Sequence, residues 1–160
     1  MKNLGLFCLL FASIGFQSCK KNQSEKVVKA TEVQAEKLIS VQCYKALYQE
    51  DTIELKMNTL KNGKITGDMV MKIFNMPKKV GKIDGEFRGD TLFVSYTFIQ
   101  GTYDKITYKN PMAFLKRGNE LILGNGKIGT TMGASFFVKG EPIDFERVKY
   151  KLKTVDCITK

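Results

Sequence analysis

The sequence predicts an all-β fold: an antiparallel up-and-down meander barrel of about eight strands, set behind a leader and a polar tether. Three observations carry that expectation. From Leu38 onward apolar residues recur at every second position, the period of a strand whose alternate side chains face opposite sides. Turn chemistry punctuates this pattern about every 8–12 residues, as at Asn62-Gly63, Gly89-Asp90 and Gly118-Asn119. No helical periodicity of roughly 10–15 residues intervenes, so the crossovers that a parallel sheet needs are missing.

The chain opens with Lys2, a small positive flank, and an apolar run of about 13 residues, Leu4 to Phe16 (LGLFCLLFASIGF). A membrane-spanning helix takes roughly 20 apolar residues, so this run fits the hydrophobic segment of a signal peptide. It ends at Phe16-Gln17-Ser18-Cys19. That ending resembles a bacterial lipobox, in which a small residue precedes the cysteine that becomes acylated; Phe16 stands where leucine is usual. The expected organisation is a lipoprotein signal peptide over 1–18, a lipidated tether over 19–37 and a β-barrel over 38–160. An ordinary secretory signal cleaved nearby, leaving Cys19 a plain thiol, is the competing reading. Two or more acyl chains on Cys19 anchor firmly where one binds marginally, each buried CH₂ contributing about 0.8 kcal/mol. The first expected partner is therefore a membrane, held through N-terminal lipid. Residues 20–37 are polar and charged, with Thr31 and Gln34 spaced as a weak capping box. As coil, about 18 residues reach roughly 20–25 Å.

Then come the strands. Val41, Cys43, Lys45 and Leu47 alternate with Gln42, Tyr44, Ala46 and Tyr48, and Gln49-Glu50-Asp51 turns the chain. Ile53, Leu55 and Met57 alternate with polar residues up to Asn62-Gly63, the strongest short hairpin signal. Residues 65–74 (ITGDMVMKIF) are the next strand, where Gly67 suggests a bulge or bend. Residues 75–81 (NMPKKVG) read as a proline-containing connection. Ile83, Gly85 and Phe87 alternate with Lys82, Asp84 and Glu86. Residues 91–99 (TLFVSYTFI) are the most strand-like run, with Leu92, Val94, Tyr96 and Phe98 on one face. Residues 112–116 and 121–123 form a hairpin, and residues 124–140 read as glycine-rich and irregular. Val148, Tyr150, Leu152 and Thr154 alternate with lysines toward Cys157. About 120 residues suffice to bury one core. Short connections favour a meander, and closing it removes exposed sheet edges.

Of the four cysteines, Cys8 leaves with the leader and Cys19 is the lipidation site. Cys43 and Cys157 remain, near the two ends of the folded part, and in an oxidising compartment such a pair reads as a disulfide. The alternative is a metal or redox pair. The chain has no CxxC and no histidine, and two thiolates alone make a poor zinc site, so neither a metal nor a cofactor is expected. The bridge fits a closed barrel in which the first strand neighbours the last.

Past the leader, whose one charge is Lys2, 25 basic residues face 16 acidic ones. The lysines are spread along the chain without a basic block or a basic–aromatic motif, so nucleic acid is not an expected partner. A solvated lysine-rich surface accounts for them, with weak attraction to anionic headgroups as the remaining role.

Four stretches resemble a group of small lipoproteins common in Bacteroidota: CYKALYQEDTIELKMN at 43–58, ITGDMV at 65–70, GEFRGDTLFVSYTF at 85–98 and VKYKLKTVDC at 148–157. The resemblance extends over residues 40–157. It implies a lipocalin-like or META-like small barrel and implies no activity, because its motifs mark strand and turn geometry.

Catalysis is not expected. Without histidine, Ser-His-Asp and Cys-His systems are excluded. Nothing sets two of the acids Glu54, Asp68, Asp84, Glu86 and Asp90 across one cleft, as glycoside cleavage requires. Arg88-Gly89-Asp90 spells an integrin tripeptide, yet Gly-Asp between strands is turn chemistry. The glycines at 124, 126 and 129 do not open a helix as a phosphate loop does. The aromatics of the middle strands point elsewhere. An eight-strand barrel is either filled by side chains or holds one small ligand. Phe87, Val94, Tyr96, Phe98 and Tyr108 are the residues expected to line a cavity for a small apolar or amphipathic ligand. A filled barrel acting on an envelope protein through its surface is the alternative. Lys20-Lys21 lacks the acidic cluster that resembles a surface-export signal, so the expected address is the outer membrane, facing the periplasm.

Overall fold

The computed structural model describes residues 37–157, so the expected leader, the lipidation of Cys19, and the tether up to its last residue lie outside the described residues. The described chain is all β, as the alternation predicts. Strands β1 (Leu38–Tyr48), β2 (Asp51–Leu60), β3 (Lys64–Lys72), β4 (Lys79–Arg88), β5 (Thr91–Gln100), β6 (Tyr103–Arg117) and β7 (Glu120–Leu123) follow one another. Four short strands then leave the wall: β8 (Asn125–Gly126), β9 (Ile128–Thr131), β10 (Ala134–Phe137) and β11 (Ile143–Asp144). Strand β12 (Lys151–Val155) returns to it. The barrel closes in the order β1-β12-β7-β6-β5-β4-β3-β2. Every neighbouring pair is antiparallel.

Closure works because alternate residues of each strand are apolar and face one another across the lumen. Tyr44, Ile53, Leu55, Met69, Ile83, Leu92, Phe114, Leu121 and Leu152 are buried there in one cluster. Small and large residues compensate across strands. Gly81 pairs with Phe98 and Gly85 with Val94, so β5 fills space that β4 leaves. The outer wall carries cross-strand ion pairs, Lys45–Glu54 and Lys82–Asp68 at 2.9 Å and Lys64–Asp84 at 3.4 Å. As exposed pairs they contribute little to stability.

Several boundaries differ from those the sequence predicts. Gly67 sits in unbroken register opposite Met57, with no bulge. A Cβ there would lie 2.1 Å from the Lys56 carbonyl oxygen, so the glycine serves a close approach of two strands. Strand β4 begins at Lys79, inside the segment that reads as a connection. Strand β6 begins at Tyr103 and not at residue 112, and its first eight residues are all exposed. Residues 124–140 are not wholly irregular: β9 pairs with β10, and β8 with β11. Strand β10 packs on β6, and Phe137 meets Phe93 edge-on with ring centroids 6.5 Å apart.

Cys43 and Cys157 are bridged, with Cα atoms 5.2 Å apart. Cys43 pairs with Val155 across the β1–β12 seam, so the bridge ties the first barrel strand to the last. The strands alternate in direction, and the two ends of the barrel are therefore unlike. One end carries Leu38, Val155 and the tight turns 61–63, 89–90 and 118–119. There Gly63 takes φ +83° and Lys64 N–H donates to Asn62 Oδ1 at 2.9 Å. The other end carries the turns 49–50 and 101–102, the 73–78 loop and the 124–150 excursion.

Candidate functional site

The barrel is filled as far as Tyr96. This side chain is 1 % exposed, and its hydroxyl crosses the lumen to donate to the Met69 carbonyl at 3.1 Å. Burial raises its pKa well above the ordinary phenol range, so the hydroxyl stays protonated. Beyond it, toward the end with the long excursion, packing is incomplete. Strand β7 stops at Leu123 while β6 runs on, and a cavity of about 220 Å³ opens in the gap. Its inner side is Met71, Lys79, Tyr96, Phe98 and Met112, all from barrel strands. Its outer side is Gly124, Asn125, Gly126, Ile128 and Phe137 from the excursion, with Leu123 at the end of β7 and Asn110 and Pro111 of β6 at the edge. A second space of about 280 Å³, lined by Arg147 to Tyr150, shares Leu123, Gly124 and Asn125 with it.

The aromatic lining is ordered by stacking. The Phe98 ring lies 4.7 Å from the Tyr96 ring and 5.5 Å from the Tyr108 ring, with interplanar angles of 20° and 24°. Lys79 Nζ stands 5.2 Å from the Phe98 centroid, within cation–π range. Of the residues expected around a ligand, the fold thus brings Tyr96, Phe98 and Tyr108 together. Tyr96 and Phe98 line the cavity; Tyr108 stacks at its rim and is 45 % exposed. Val94 does not reach the cavity, because it is packed in the core at 5 % exposure. Phe87 does not reach it either. It lies at the opposite end of β4 from Lys79 and packs against the core from there.

A polar clasp ties three segments together at this end. Tyr150 Oη donates to Asp51 Oδ2 at 2.7 Å, and Phe74 N–H donates to Asp51 Oδ1 at 2.7 Å. Three separate segments, at residues 51, 74 and 150, are thereby joined. The Phe74 amide, followed by the Tyr150 hydroxyl, holds the Asp51 carboxyl below its usual range. Burial, then the bond to Asp51, pushes the Tyr150 phenol up to about 12. Tyr48 packs edge-on against Tyr150 at 6.1 Å.

The acids weighed for catalysis do not enter this site. Glu54, Asp68, Asp84 and Glu86 pair with Lys45, Lys82, Lys64 and Arg88 on the outer wall, and Asp90 accepts from Thr91 Oγ1 in the β4–β5 turn. Among the described residues no group of three or more His, Cys, Asp or Glu is arranged to hold a metal ion. Two features that the sequence reading passes over are Lys79 and the Asp51–Tyr150 clasp. Extending the alternation of Ile83 and Gly85 back by two steps would have turned Lys79 inward. The clasp has no local signal. No family profile, curated protein or solved structure matches the chain.

Proposed function

We propose that this protein is a membrane-anchored lipoprotein of the periplasm whose barrel holds one small apolar or amphipathic molecule at its open end, without acting on it chemically. One observation carries the binding role: the cavity of about 220 Å³ beside Tyr96 and Phe98, where a filled barrel interior gives way to an apolar lining with a few polar groups. The anchor rests on the apolar run ending at Cys19, and the periplasmic face of the outer membrane on the Lys20-Lys21 that follows. Protease shaving of intact cells that removes the barrel would reverse the assignment of the leaflet.

A native mass spectrum of residues 20–160, secreted to an oxidising periplasm and purified gently, tests the binding role. Extra mass that disappears on denaturation supports it and identifies the molecule. A clean mass, two hydrogens below the reduced value, favours the second reading, a filled barrel that acts on an envelope protein. One observation favours that reading: Phe74, Met76, Tyr103 and Ile106 are about half exposed at the same end.

A further inference from the structure

We infer that the molecule held at the open end is an amphiphile with a single anionic head, and that Lys79 is the residue that receives the head. This deepens the binding role proposed above and rests on it. The register turns Lys79 inward: it pairs with Met71 and Gln100, and the same face of β4 continues through Gly81 to the buried Ile83. Among the described residues Lys79 is the one charged side chain of the cavity wall. Among the described residues no carboxylate lies within ion-pair distance of it. Asp51, at the same end of the barrel, is engaged by Tyr150 and the Phe74 amide. What Lys79 does touch is the face of Phe98.

The chemistry of the wall then selects a ligand. Met71, Phe98, Met112 and Leu123 offer an apolar bed. An unpaired ammonium at its edge favours an anion, because a charge-assisted hydrogen bond is about twice as strong as a neutral one. The amides of Asn110 and Asn125, also on the wall, are suited to a second oxygen of the same head. A cationic ligand would be repelled, and a wholly apolar one would bury the ammonium without a partner. The cavity is below the roughly 300 Å³ at which drug-sized pockets begin, so one short chain or one ring suits it.

Isothermal titration of residues 20–160 with straight-chain carboxylates, butanoate to dodecanoate, and with the matching alcohols, tests the inference. The expected result is that the best-fitting carboxylate binds about tenfold or more tighter than its alcohol. Lys79→Gln should abolish that preference, bringing the carboxylate down to the affinity of the matching alcohol for the same variant, and Lys79→Arg should keep it. Equal binding of acid and alcohol by the native protein overturns the role of Lys79 and leaves the cavity a binding site. So does a preference that survives in Lys79→Gln. Binding of neither series at any length overturns the binding role itself and this inference with it.

Discussion

Asp51 and Tyr150 lie 99 residues apart in sequence and share one hydrogen bond, and the pH behaviour of that pair is the most specific consequence of a single contact here. The Tyr150 proton is held in the folded state up to about 12, against an ordinary value of 10.0. Its contribution to stability is therefore full below pH 10.0 and is lost as pH rises through about 12. Asp51 works at the other extreme. Its carboxyl is depressed below 3.8, so its contribution is present above that pH and is lost as pH falls through the lower folded value. Tyr150→Phe should lower the urea midpoint at neutral pH, and the deficit should shrink steadily from pH 10 to about 12. A deficit constant across that range would mean that the hydroxyl is not the source. Because the Phe74 amide is the larger cause of the Asp51 shift, the variant should keep much of the native protein's acid sensitivity. The alternation that identifies strands is blind to such a bond, since it joins the first residue of β2 to the end of an excursion.

The element that most constrains the barrel is β4, whose inward positions include two glycines. At Gly81 a Cβ would lie 2.0 Å from the Thr97 carbonyl oxygen and 2.6 Å from the Phe98 Cα, both backbone atoms of β5. Neither atom can swing aside as a side chain does. Gly81→Ala should therefore push β4 from β5 and destabilise the fold by about 1–3 kcal/mol, read as a lower urea midpoint. A change below about 0.5 kcal/mol would show that the two strands separate easily at this point. Strands with one buried face were legible in the sequence: Leu92, Val94, Tyr96 and Phe98 alternate cleanly because each faces the lumen. The first half of β6 was not, because Tyr103 to Asn110 lie exposed and no apolar face marks their period. Nor were β8 to β11, whose ladders of two or four residues are too short for a period to register. The same blind spot hid half of the cavity, since its outer side is drawn from that excursion. Tyr96 and Phe98 were found because they stand on the most regular strand. Lys79 was missed because Pro77 two residues earlier made the segment read as a loop.

At the scale of the whole molecule, the bridge between Cys43 and Cys157 converts a meander into a ring. It spans 114 residues, so on the chain-entropy model its loss should cost about 4–5 kcal/mol. Urea unfolding of the native protein against Cys43→Ser/Cys157→Ser measures this, and a difference below about 1 kcal/mol would mean that the unfolded ring is hardly more restricted than the open chain. The ring also decides where tension travels. A pull applied between the segment before Leu38 and the segment after Cys157 can peel Leu38 to Gln42 from β2, and then it meets a covalent bond. Residues 44–156 lie outside the covalent load path, so such a pull bypasses the cavity end. Reduction would put the whole loop into that path and release roughly 400 Å of extended chain under force. A thiol reagent would thus turn a shock-proof bead on a string into one that can be unravelled.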